Sequence, residues 1–217
     1  MKARLGITAS FVLLLACSAF GQTLHLKERE RAWNLGVAHS TADRVDATGF
    51  SGSRSFSNRF ELGFGIEFLS VETPGDWYGQ GGTEEHVGIV QSLGYYTRPT
   101  YYGAGNAIVV GLHEAYHIVA DEGASDVLNL GLTLNFWIPT SSTGGLVLYT
   151  GYIRSVDTYD SDGSIPIGAE FYGRTSKDVI LSGGIEYTSV DGTGVVSLGF
   201  SLSFIGKAAK KPQRGEF

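Results

Sequence analysis

The run Arg59-Phe60-Glu61-Leu62-Gly63-Phe64-Gly65-Ile66-Glu67-Phe68 decides how this chain folds. If it is extended, Phe60, Leu62, Phe64, Ile66 and Phe68 share one face, and Arg59, Glu61, Gly63, Gly65 and Glu67 share the other. Side chains on a strand alternate with a period of two, so the segment is two-faced only as a strand. A helix would scatter the same residues around its axis. Leu128, Leu130, Leu132, Leu134, Phe136 and Ile138 repeat the pattern against Asn129, Gly131, Thr133 and Asn135. So do Val196, Leu198, Phe200, Leu202 and Phe204 against Ser197, Gly199, Ser201 and Ser203.

Working outward, weaker alternation marks strands over 32–40, 86–97, 107–119, 146–155 and 179–188, which makes eight. Two further segments, 167–174 and one around 24–30, would make ten. The stretches 41–57, 72–83 and 157–166 read as the longest connections. The expectation is a closed antiparallel all-β barrel of eight, or else ten, strands. Glycines recur mid-strand at Gly36, Gly63, Gly94, Gly111, Gly131, Gly151, Gly183 and Gly199. Glycine weakens a strand, so its recurrence points to strong curvature and a crowded interior.

Which face lies inside separates a soluble barrel from a membrane one. A narrow barrel has room only for modest side chains. The Gly, Ser, Thr and Asn face fits that interior, whereas the Leu and Phe face would overfill it. Bulky residues then face lipid, and strands near ten residues are long enough to cross it. Trp33, Tyr95, Tyr96, Tyr101, Tyr102, Trp137 and Tyr187 sit near strand ends, as interfacial girdles do.

Composition agrees with one domain. The chain has 217 residues, 42% hydrophobic, with 31 glycines and only 5 prolines. A formal charge of −6 argues against a nucleic-acid partner. Residues 1–21 read as an export signal: Lys2 and Arg4, an apolar run from Ile7 to Ala16, then Ala19-Phe20-Gly21 placing small residues for cleavage before Gln22. Leu14-Leu15-Ala16-Cys17 also resembles a lipobox, which would leave Cys17 lipidated, although the second leucine is atypical there. If Cys17 is removed, the mature chain has no cysteine and no disulfide.

Ser197-Leu198-Gly199-Phe200-Ser201-Leu202-Ser203-Phe204 resembles the C-terminal assembly signal of outer-membrane β-barrel proteins. Ser197 supplies the polar position, Gly199 the glycine, and Leu202 and Phe204 the hydrophobic pair ending in an aromatic. The resemblance extends loosely over residues 31–205, to small OmpA-like or porin-like barrels of diderm bacteria. It implies residence among outer-membrane lipid after insertion by the outer-membrane assembly machinery. Such chains usually stop at the aromatic, whereas this one continues through residues 206–217 with Lys207, Lys210, Lys211 and Arg214, read as a basic periplasmic tail.

One motif argues otherwise. His113-Glu114-Ala115-Tyr116-His117 is H-E-x-x-H, which on a helix binds zinc through the two histidines with the glutamate as general base. On a strand the two histidines share a face but stand roughly 13 Å apart, too far for two zinc bonds of about 2 Å. The strand reading turns both histidines into the lumen and Glu114 outward, near the aqueous rim. Arg59, Glu61, Glu67, Glu170, Arg174 and Glu186 are expected to form an interior polar network, since buried charges need partners. No cofactor and no catalytic set is expected. The leading function is a structural or porin-like outer-membrane barrel without enzymatic activity. The alternatives are an outer-membrane hydrolase acting on lipid or lipopolysaccharide, and a secreted zinc hydrolase.

Overall fold

The computed structural model describes residues 26–27, 30–56, 59–73, 82–103, 105–119, 126–157, 161–190 and 193–206. The signal segment, Cys17 and the tail beyond Gly206 lie outside the described residues. The strands are β1 (Arg31–Ala42), β2 (Val45–Phe56), β3 (Phe60–Thr73), β4 (Gly82–Tyr96), β5 (Thr100–Tyr102), β6 (Asn106–Val119), β7 (Val127–Pro139), β8 (Gly144–Val156), β9 (Ser161–Ser176), β10 (Val179–Val190) and β11 (Thr193–Gly206). Ten of them form a ring. Each pairs antiparallel with its sequence neighbours, β4 pairs with β6, and β1 closes the circle on β11 with Arg31 opposite Gly206. The remaining strand, β5, pairs with β6 alone, below the point where β4 leaves it. Thr97 bridges the two, its amide donating to the Val110 carbonyl at 2.9 Å and its hydroxyl accepting the Val110 amide at 3.0 Å.

Closure leaves the expected faces where a lipid solvent wants them. Trp33, Leu35, Phe64, Leu132 and Phe200 are 51–66% exposed on the outer wall. Asn34, Ser55, Thr133, Asn135 and Ser197 are buried in the lumen at 1% or less. A soluble barrel would reverse this, and water tolerates no apolar belt so continuous. The ring strands run 12 to 16 residues, long enough to cross hydrocarbon when tilted.

All eight expected strands are present, and the ring has ten. The ninth, β9, contains the 167–174 segment and extends into what read as a loop. The tenth is not the segment around 24–30, whose described residues lie outside the ring. It is β2, placed by the sequence reading inside a connection. Two features concealed it. Its outer face carries Asp46, Thr48, Phe50, Gly52, Arg54 and Phe56, so its apolar alternation is diluted. The turn before it is only Asp43-Arg44, and Arg44 itself takes the positive φ of 65° that a glycine would normally advertise.

Of the eight mid-strand glycines, Gly183 alone faces lipid, with the Phe200 ring laid over it. The others line the lumen, and Gly63, Gly111 and Gly151 let neighbours approach closely. A methyl on Gly111 would stand 2.5 Å from both His113 Nε2 and Thr133 Oγ1, and one on Gly151 would strike the Leu132 carbonyl. Gly173 has open space where its side chain would be. Gly151→Ala is therefore expected to destabilise the barrel by about 1–3 kcal/mol. Gly173→Ala should stay within about 1 kcal/mol of the parent or exceed it. Urea titration in lipid vesicles, followed by tryptophan fluorescence, distinguishes the two; equal effects would contradict the crowded wall.

Candidate functional site: a layered lumen and its basic mouth

Inward residues stack in layers along the barrel axis. At the end where β1 begins and β11 finishes, a cavity of about 560 Å³ is lined by Arg59, Arg98, Arg174, Trp137, Tyr172 and Ile180, among others. Arg174 is tied down there: Nη2 donates to Glu30 Oε2 at 2.8 Å and Nη1 to Oε1 at 3.2 Å. Burial alone would raise the Glu30 pKa, but Arg174 and the Lys27 amide bring it below its ordinary value. Arg59 lies over the Tyr95 ring at 5.8 Å.

Above the mouth lies an aromatic floor. Tyr96, Val109 and Val147 are 0–2% exposed, with Trp137 and Tyr172 packed against them. The Trp137 indole donates to the Tyr172 hydroxyl. This corrects part of the expected girdle: Trp33, Tyr95 and Tyr187 face outward, but Tyr96 and Trp137 point inward. Tyr95 and Tyr96 are consecutive, so the pleat cannot send both outward. Trp137 stands opposite Ala107 and Val147, both inward.

A polar belt follows. Asn34 Nδ2 donates to Ser53 Oγ and Ser55 Oγ at 2.9 Å and to Glu61 Oε1 at 3.1 Å, while Ser53 donates to the same carboxylate. Tyr149 and Thr188 donate to the two oxygens of Glu186 at 2.9 and 2.7 Å. His113 Nε2 meets Thr133 Oγ1 at 2.9 Å, and its ring sits edge-on to Tyr96. Next, His117 Nδ1 approaches Glu67 Oε2 at 3.3 Å, both groups buried. The far end is dry: Ala38, Val45, Ala47, Leu69, Val71 and Val119 pack together.

The expected network is thus redistributed. Glu61, Glu67, Glu170 and Glu186 do line the lumen, but Arg59 and Arg174 lie at the mouth, since one precedes β3 and the other falls near the end of β9. Of the acids deeper in, Glu61, Glu67 and Glu186 meet amide, hydroxyl and imidazole groups. Arg98, Lys27 and Glu30 were not singled out from sequence, because loop residues carry no alternation to place them.

The H-E-x-x-H stretch is a strand. His113 and His117 face the lumen four residues apart, while Glu114 projects through the other side of the wall, between Leu93 and Leu130 of the flanking strands. It lies one outward step short of Tyr116, whose hydroxyl donates to Asp126 at the rim at 2.7 Å. Glutamate and histidines on opposite faces cannot serve one ion. Among the described residues no group of three or more His, Cys, Asp or Glu converges to hold a metal.

No family model and no curated protein matches the chain. Solved structures do. An outer membrane channel from Pseudomonas putida F1 superposes with a TM-score of 0.52 at 11% identity, covering 86% of this chain and 98% of that one. The chain has the fold of a small outer-membrane β-barrel. The translocator domain of the autotransporter NalP from Neisseria meningitidis is also similar, with a TM-score of 0.49 at 11% identity over 91% of this chain and 96% of that one.

Two side-chain pairs of this outer-membrane barrel make separate predictions. Replacing His117 with Leu leaves the buried Glu67 without its imidazole neighbour and is expected to cost about 1–3 kcal/mol, most of it recovered by Glu67→Leu in the same chain. Additive losses in that double-mutant cycle would show the pair uncoupled. At the mouth, Glu30 has a depressed pKa, so its contribution is present above the unfolded value and lost as pH falls through the folded one. Glu30→Gln should therefore flatten the acid side of the stability profile, by about 1 kcal/mol or less for so accessible a pair.

Proposed function

We propose that this protein is a structural, porin-like outer-membrane barrel without enzymatic activity, whose lumen is closed to bulk solutes. The observation that carries the reading is the inaccessibility of lumen side chains from the aromatic floor to the layers beyond it. Tyr96, Val147, His117 and Ser197 are 0% exposed, although they line the interior of a ring wide enough for ten strands. An aqueous pore would leave such residues wet. The similar Pseudomonas protein is described as a channel; here the aromatic floor, the polar belt and the dry far end stand in the path in turn. The strand conformation of the H-E-x-x-H segment gives no support to zinc hydrolysis.

Export by residues 1–21, with cleavage before Gln22, belongs to the same reading. Insertion by the assembly machinery is supported by the placement of the matching segment on β11, the strand that closes the ring. Ser197 and Gly199 face inward there, and Phe204 faces outward.

Refolded protein is expected to show heat-modifiable gel mobility and to fractionate with outer membranes. In planar bilayers it should give no stable conductance steps, and liposomes containing it should not swell with small sugars. Reproducible steps from the unmodified barrel would overturn the closed lumen while leaving the fold intact.

A further inference from the structure

The cavity at the strand-terminus end of the barrel is not needed to close the lumen, and its lining is unlike that of the layers above it. We infer that this mouth is a binding site for a small acidic saccharide. Three kinds of group meet there. The first is cationic. Arg174 is already committed to Glu30, but Arg98 is exposed in the loop after β4, and Arg59, whose Nη2 donates to the Tyr95 hydroxyl at 3.5 Å, keeps its Nε buried without a hydrogen-bond partner among the described residues. A guanidinium offers several donors in a fixed fork and suits a carboxylate. An Nε held out of water with nothing to donate to marks a place where an acceptor is wanted.

The second group is aromatic and the third hydroxylic. Trp137 and Tyr101 line the same cavity, as do the hydroxyl residues of the short β7–β8 loop, Ser142 among them. A bare inorganic anion has no use for an aromatic wall, and an aromatic acid has no use for a run of hydroxyls. A sugar ring uses both, packing its C–H face on an indole and exchanging hydrogen bonds with side-chain hydroxyls, while a carboxylate on the ring engages the arginines. The volume of about 560 Å³ is that of a small-molecule site, within the roughly 300–1,000 Å³ usual for them. The site goes beyond the closed-lumen reading and does not depend on it: a conducting barrel could carry the same mouth.

The test uses the folded full-length barrel in detergent micelles at low salt, titrated with glucuronate by calorimetry and by tryptophan fluorescence. Glucose, benzoate and inorganic phosphate are titrated in parallel. Glucuronate is expected to saturate one site, with each of the other three at least about tenfold weaker. Arg98→Gln, in an exposed loop, should weaken glucuronate about tenfold with heat-modifiable mobility unchanged; Arg59→Gln should do the same, and Arg154→Gln, at the opposite end, should do nothing. Absence of saturable glucuronate binding would overturn the proposal. So would phosphate, benzoate or glucose binding as tightly as glucuronate, or binding indifferent to both mouth arginines.

Discussion

Everything in this molecule depends on the closing of β1 against β11. Hydrocarbon offers no hydrogen bonds, so each backbone amide and carbonyl at membrane depth needs a protein partner, and an open sheet edge cannot exist there. The register from Arg31 opposite Gly206 to Thr41 opposite Val196 removes the last edge. Once the ring is closed, the pleat leaves each residue two destinations, lipid or lumen, and the chemistry of both faces follows. Among the described residues the one strand that escapes the ring, β5, does so beyond its terminus end, where Tyr101 and Tyr102 are exposed.

That constraint explains which parts of the fold were legible in sequence. Strands such as β3, β7 and β11 carry bulky residues at every outward position, so lipid contact wrote its pattern directly into them. β2 sits between the well-covered β1 and β3, and its outward Gly52 lies beside Leu35. Its neighbours supply the greasy surface and its own sequence is released from the pattern. The turn before it compounds the silence, because Arg44 accepts a backbone conformation that usually calls for glycine. Glu114 shows the converse: the alternation placed it outward correctly against a motif that asked for a helix.

The candidate site was less legible, and for a different reason. Alternation says which side of the wall a residue faces but not its height along the axis or its partner across the lumen. Glu61, Glu67 and Glu186 were placed inside correctly, yet their ties to Asn34, His117 and Tyr149 run between residues 27, 50 and 37 positions apart. Arg59 has the inward parity of Glu61 but precedes β3, and its guanidinium turns at the mouth to the outward ring of Tyr95. Tyr96 and Trp137 sit near strand ends, as girdle residues do, but the parity of their positions turns them inward.

Height along the axis also sorts charge, and this makes the two ends of the barrel different objects. Among the described residues, Lys27, Arg31, Arg54, Arg59, Arg98, Arg174 and Lys177 lie toward the strand-terminus end with only Glu30 and Asp178 against them, and Asp43, Asp46, Glu72, Glu84, Glu85, Asp126, Asp157 and Asp162 lie toward the other with Arg44 and Arg154. Low-dielectric walls focus the field of like charges into a concave mouth and raise the local concentration of counter-ions there. A few arginines around a recess floored by Trp137, Tyr172 and Ile180 therefore act more strongly on an anion than the same residues would on an open surface. The barrel's overall charge of −6 conceals this, because net charge averages over the one dimension, along the axis, in which the molecule is polarised.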